Sequence, residues 1–205
     1  MSLIPELLNW YRCYLCKSDS ELLCDKCYLK LEKINTSEEV SGYKLTSLYK
    51  YNEHSSKILL MSKYPPYYFH ILKLLIRKSP PYIFTINTIF CPVPLSSLKL
   101  FERKFNQAEI IASELAKPSK GIVFNALKRV RDSKPLFNLD RLSRKYEVEN
   151  VFRLTLKGSL IPNKESLNIV LVDDLVTTGE TVKNCLRALS SSGFKNIEIF
   201  SLFRA

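Results

Sequence analysis

The run Ile169-Val170-Leu171-Val172-Asp173-Asp174-Leu175-Val176-Thr177-Thr178-Gly179-Glu180-Thr181 constrains this chain more than any other feature. Ile169 to Val172 are apolar and mostly β-branched, which predicts a short buried strand of the kind found inside a parallel sheet. Asp173 and Asp174 fall where that strand ends. Thr177, Thr178, Gly179 and Thr181 then offer hydroxyls and backbone N–H groups at the start of the next helix, whose positive end attracts an anion. Gly179 lets the backbone approach a ligand with no Cβ in the way. Carboxylates accept hydrogen bonds from vicinal hydroxyls, so two of them beside a phosphate cradle suit a sugar phosphate. The plainer alternative is an ordinary strand–loop–helix with a capping aspartate.

The chain of 205 residues has room for one α/β domain and a small appendage. No window approaches 18 consecutive apolar residues, so no transmembrane helix is expected. Met1-Ser2-Leu3-Ile4-Pro5-Glu6 lacks the basic n-region and apolar core of a signal peptide, which places the chain in the cytoplasm as an expectation. The net charge of +11 is unevenly spread. Ser97 to Lys157 holds 14 Lys and Arg against 7 Asp and Glu, whereas Met1 to Ile34 holds 5 of each. A basic middle segment attracts nucleic acid, anionic lipid or a polyphosphate substrate, or is simply a solvated lysine-rich surface.

Two Cys-x-x-Cys pairs, Cys13 with Cys16 and Cys24 with Cys27, stand seven residues apart. Each pair offers two thiolates to one tetrahedral ion, so together they predict a closed four-cysteine structural zinc site with no open position for catalysis. The segment is too short for a core of its own, and a metal would organise it. Disulfides are the competing reading, disfavoured in a reducing cytoplasm. Cys91 and Cys185 sit among apolar residues and read as core. Trp10, Tyr11, Tyr14 and Leu15 flank the knuckles and are expected to pack them onto their neighbour, with base stacking as the alternative.

Along the chain, residues 28–42 read as a polar connection and 42–51 as a strand. Helices are expected over 54–63 and 67–78, a strand over 86–91, an amphipathic helix over 102–117, and short strands at 122–124 and 151–156. The motif supplies a strand and helix over 169–190, and 196–203 closes as a strand. Alternating strands and helices predict an α/β fold, a parallel sheet with helices on both faces, in which ligands bind beyond the carboxyl ends of the strands. If the 86–91 strand neighbours the Asp173 strand, Pro92-Val93-Pro94-Leu95 and the threonine turn meet at one crevice. The division expected is a zinc-binding module and its connection at 1–42, then the α/β domain at 43–205.

The Asp173–Thr181 stretch resembles the phosphoribosyl pyrophosphate (PRPP) motif of type I phosphoribosyltransferases. Further residues resemble one branch, the ComF (ComFC) competence proteins. These are Pro92-Val93-Pro94-Leu95, the segment Arg103-Lys104-Phe105-Asn106-Gln107-Ala108-Glu109, Tyr49, Tyr51 and Lys63, and a four-cysteine module ahead of the domain. The resemblance implies that Asp173 and Asp174 hold the ribose hydroxyls. It implies that Val176, Thr177, Thr178, Gly179, Glu180 and Thr181 form the 5′-phosphate turn, and that Pro94 and Leu95 open the pyrophosphate-side loop. Arg103 would meet pyrophosphate bidentately or be a surface arginine at a helix start. Asn106 and Gln107 would brace the loop or face solvent; Lys63 is read as a solvated lysine in preference to one facing the crevice. Lys104 stands where the family has glycine, so if φ > 0 is needed there the local backbone must differ. Changes at Ser133-Lys134-Pro135-Leu136 and at Glu147 fall where the family covers the acceptor.

The resemblance further implies a PRPP-binding protein that handles single-stranded DNA during natural transformation, with Mg²⁺ accompanying PRPP. Its expected partners are a competence helicase and inner-membrane channel proteins, and its location the cytoplasm, peripheral to the inner membrane. Lys128, Arg129, Arg131, Lys134, Arg141, Arg144 and Lys145 are the candidate DNA-facing residues, with Phe137, Tyr146 and Phe152 near them for stacking. The alternatives are an active phosphoribosyltransferase with an unknown acceptor and a PRPP sensor. No residue stands out as general acid or base: His54 reads as exposed and His70 as partly packed.

Overall fold

The computed structural model describes residues 12–20, 22–63, 68–79, 84–85, 88–130 and 151–205. The motif strand is central. β7 (Asn168–Val176) lies between β3 (Ile89–Pro92) and β8 (Asn196–Arg204) and runs parallel to both. Its side chains alternate, Ile169 and Leu171 entering one core and Val170 and Val172 the other. That is why its sequence is continuously apolar.

Outward from this centre, β8 pairs in parallel with β2 (Tyr43–Lys50), and β3 with β4 (Ile122–Val123). β1 (Lys33–Val40) pairs antiparallel with β2, giving the order β1-β2-β8-β7-β3-β4. The sheet is therefore mixed, though mostly parallel. The stretch expected as a polar connection thus contains a strand. Its polarity suits a sheet edge, and Ser41 and Gly42, both at positive φ, turn the chain as a two-residue hairpin does.

One face of the sheet is covered by α2 (Glu53–Met61), α3 (Tyr68–Arg77) and α5 (Gln107–Ser119). The other is covered by the short α6 (Leu156–Ser159), α7 (Glu180–Ser190) and a separate antiparallel pair, β5 (Leu127–Arg129) and β6 (Phe152–Leu154). The single helix expected over 102–117 is two helices. α4 (Ser97–Arg103) ends at Lys104, and Asn106 caps α5, accepting from the Ala108 N–H at 3.1 Å. Lys104 sits at φ 65°, so a lysine holds the left-handed conformation that glycine favours. This costs about 1–2 kcal/mol, offset in part by its ammonium 3.9 Å from the centre of the Phe101 ring. No helix among the described residues is long and apolar enough to cross a membrane.

The cysteine segment, including α1 (Asp25–Tyr28), shares the first core: Cys13, Tyr14, Leu23, Cys27, Tyr28 and Leu31 are buried with Leu48, Tyr49 and Ile58. Packing is thus what Tyr14 does; Trp10 and Tyr11 lie outside the described residues. The tie is the buried Tyr49 hydroxyl, which donates to the Leu75 carbonyl at 3.0 Å and lies 3.0 Å from the Ser79 hydroxyl and 3.3 Å from that of Tyr28. Tyr28 in turn donates to the Lys78 carbonyl at 2.8 Å. Tyr49→Phe keeps the ring and removes the hub. We expect a loss of about 1–2 kcal/mol, a fall in Tm of roughly 2–8 °C by calorimetry.

Candidate functional site

The parallel pairing of β3 with β7 sets the site. The pairing continues past β3, with the Val93 N–H donating to the Val172 carbonyl at 2.8 Å, so both strands release their chains at one edge. Pro94 and Leu95 leave β3 there, while Asp173 and Asp174 end the apolar part of β7. These four line a cleft of about 190 Å³ together with Thr181 from the first turn of α7. Ligands in open α/β sheets bind at this end of the strands. A larger hollow of about 450 Å³ opens at the amino ends of β7, β8 and β2, but it contains none of the candidate ligand-binding residues.

Between Asp174 and the cleft's end, the turn curves through Thr177 and Thr178, both exposed, to Gly179 at φ 78°. Gly179 is needed on two counts: the left-handed φ, and the Val40 side chain, which would stand 3.3 Å from an added Cβ. The Val176 side chain is buried in the core, and the exposed Glu180 pairs with Lys183 at 2.8 Å. The turn is tied down by a residue that sequence reading missed. Arg204 donates to the carbonyls of Val176 and Thr177 and pairs with Glu38 on β1. Only the pairing of edge strand with turn reveals that role.

Four cations converge on the same cleft: Lys63 just beyond α2, Lys99 and Arg103 on α4, and Arg129 on β5. Lys63, expected in solvent, instead faces the acids, and burial above all lowers its pKa; Arg103 and Lys99 push the same way, while Asp174 and Asp173 oppose. Arg129, a DNA candidate from sequence, is brought to the cleft, with its guanidinium 5.6 Å from the Phe152 ring. Lys99 had no sequence signal beyond its charge. Lys128 is exposed next to Arg129, and Arg131, Lys134, Phe137, Arg141, Arg144, Lys145 and Tyr146 lie outside the described residues.

Asn106 braces the site as well as capping α5, its Nδ2 donating to the Val93 carbonyl at 2.9 Å. Gln107 is 1% exposed and lines the cleft. Its Oε1 accepts from Arg103 at 3.4 Å, while its Nε2 meets no partner among the described residues. A buried amide N–H without a partner is unfavourable by about 1–3 kcal/mol, so this group is available to a ligand oxygen. His54 and His70 are both half-buried and line no part of the cleft.

Asp173 is the acid under most tension. Burial raises its pKa well above the usual carboxylate range, and the charge of Asp174 adds to this, although the Asp174 N–H donates to its Oδ1 at 2.9 Å. A carboxyl whose folded pKa is raised binds a proton more tightly folded than unfolded. Stability is then fullest below the unfolded value near 4 and falls as pH climbs toward the raised value. Asp173→Asn removes that loss: we expect its Tm to exceed that of the wild type at neutral pH, with the two curves converging under acid conditions.

In the segment ahead of β1, the sulfurs of Cys13, Cys16, Cys24 and Cys27 all lie within 4.8 Å of one another, with Cys16 and Cys24 at 3.7 Å. A zinc–sulfur bond of about 2.3 Å makes tetrahedron edges of about 3.8 Å, so the four could hold a metal ion such as zinc. Cys16 is poised as a thiolate: hydrogen bonds from the Ser18 hydroxyl and backbone lower its pKa to about 6. Burial instead raises Cys27 to about 12, a value that a bound cation would reverse. Cys91 and Cys185 are fully buried, as expected. Burial pushes the first up to about 12 and the second well above the usual thiol range.

Comparisons with known proteins agree with this geometry. Residues 105–205 match the phosphoribosyl transferase domain family. Competence protein F of Haemophilus influenzae is 29% identical over 118 residues, covering 56% of this chain and 49% of that protein. Competence protein ComFC of Bacillus subtilis is 31% identical, covering 57% and 45%. The DNA utilization protein YhgH of Salmonella typhi is 32% identical, covering 55% and 47%. The chain thus aligns with about half the length of these relatives. Over residues 105–205 the chain matches the phosphoribosyl transferase domain family, and over rather more than half its length it is similar to the competence proteins F and ComFC.

Proposed function

We propose that the cleft binds PRPP, as its magnesium complex, in a protein that handles single-stranded DNA during natural transformation. One observation carries the reading: two carboxylates, Thr181 just past the phosphate-type turn, and four cations from three parts of the fold line one small cleft at the carboxyl ends of β3 and β7. In this reading Asp173 and Asp174 accept from the ribose hydroxyls, and the N–H groups and threonines of the turn hold the 5′-phosphate. Lys63, Lys99, Arg103, Arg129 and the free Gln107 amide face the diphosphate, where magnesium would further neutralise charge. The DNA context comes from the relatives named for competence and DNA utilization.

Calorimetric titration of PRPP with Mg²⁺ tests the reading. The wild type is expected to bind. The double variant Asp173→Ala, Asp174→Ala is expected to bind about 100-fold more weakly or not at all, since each lost hydrogen bond to a charged group is worth roughly 1.5–3 kcal/mol. Absence of binding by the folded wild type overturns it.

The cysteine cluster is proposed as a structural zinc site in the cytoplasm. Purified protein should then carry zinc at about one ion per chain. Removing it with a strong chelator, or replacing Cys13 and Cys16 by serine, should lower Tm by several degrees while the β7–α7 site still binds PRPP. Protein that never contains zinc and melts identically with chelator refutes the assignment.

A further inference from the structure

α4 is amphipathic in the inverted sense. In a globular protein the apolar stripe of a helix ordinarily faces the core. Here no residue of the helix is buried. Lys99 and Arg103, four apart on one face, line the cleft. Leu98 and Phe101, three apart on another face, are 60% and 71% exposed, and Leu100 beside them is 46% exposed. Three large apolar side chains within four residues, all in water beside a ligand cleft, mark a contact surface.

Charge and geometry point to the occupant. Lys99, Arg103 and Lys104 outnumber the lone Glu102 on this segment. The Lys104 ammonium sits 3.9 Å from the centre of the Phe101 ring, held there by the left-handed cap at φ 65°. A lysine over one face of an exposed ring leaves the other for a flat partner, and the ammonium lies ready for a phosphate. That is the pairing of aromatic platform and cation by which proteins bind single strands without reading sequence. The cleft itself is unsuited to a strand. Asp173 and Asp174 would stand against the phosphodiester on O3′, whereas a free 2′,3′-diol donates to them.

We propose that the outer face of α4, centred on Phe101 with Leu98 and Lys104, is a stacking surface for single-stranded DNA, separate from the PRPP cleft on the inner face of the same helix. The inference rests on the DNA-handling reading above. One short helix then serves both ligands, Lys99 and Arg103 toward the diphosphate and Phe101 toward a base.

The test is fluorescence anisotropy of a labelled thymidine homopolymer of about 20 nucleotides with the zinc-loaded full chain, beside PRPP calorimetry on the same samples. Phe101→Ala is expected to weaken DNA binding about 5- to 100-fold, the range for one lost stacked base. It should leave PRPP affinity unchanged and lower Tm by only about 1–4 °C, the loss of one exposed lysine–ring contact. Phe101→Trp should restore DNA binding. Lys104→Ala should lower the salt slope of binding by about one. Wild-type DNA binding untouched by Phe101→Ala overturns this surface while leaving the DNA-handling reading intact, and would leave the face to a protein partner. No DNA binding by the wild type overturns both.

Discussion

Two carboxylates stand at the end of a buried apolar run in the middle of the sheet, and the rest of the site is organised around that conflict. β7 must be apolar to sit between β3 and β8, and it must end in charge to hold a polar ligand. Water is partly excluded there, so Asp173 holds its proton more tightly than an ordinary aspartate. The structure answers with cations brought from both sides of the sheet: Lys63 and the α4 pair from one face, Arg129 from the small β5–β6 ribbon on the other. The four come from three separate parts of the chain, and only the folded sheet with its two layers brings them to the acids. The sheet and its two cores serve to deliver charges to one point.

The phosphate-type turn has its own support. A turn that offers free N–H groups to an anion cannot use them to hold itself. Arg204 supplies the missing restraint through the carbonyl side, gripping Val176 and Thr177 and being gripped by Glu38. The β1–β2 hairpin is therefore more than a cover for the sheet edge. It carries Glu38 to Arg204 and Val40 to Gly179, while its second strand carries Tyr49 to the cysteine segment. The cysteine segment and the Thr177–Gly179 turn are joined through the same two strands.

Much of this was legible in the sequence, for identifiable reasons. The acids, the threonines and Gly179 lie within one short run, so local spacing alone places them. The two Cys-x-x-Cys pairs are equally local, and the structure closes them into one cluster. What sequence missed was non-local. Lys63 reads as an ordinary lysine beyond a helix until α2 is packed over the cleft. Lys99 has no motif around it. Residues 33–40 are too polar to announce a strand, because an edge strand needs little apolar surface. The amphipathic pattern over 102–117 suggests one helix. The break at Lys104 is hidden because a lysine occupies a conformation expected of glycine, although Asn106 does what a loop-bracing or capping asparagine would.

The buried thiols have a practical consequence. Cys91 on β3 and Cys185 on α7 are shut from solvent and held as neutral thiols, while the other four sulfurs are gathered at the far end of the first core. An alkylating reagent reaches Cys91 or Cys185 when the layer of α7 and the β5–β6 ribbon lifts from the sheet. Nature has thus placed two silent reporters under the floor of the site. Peptide-resolved labelling at these positions over time would report how often the floor opens, without any engineered probe.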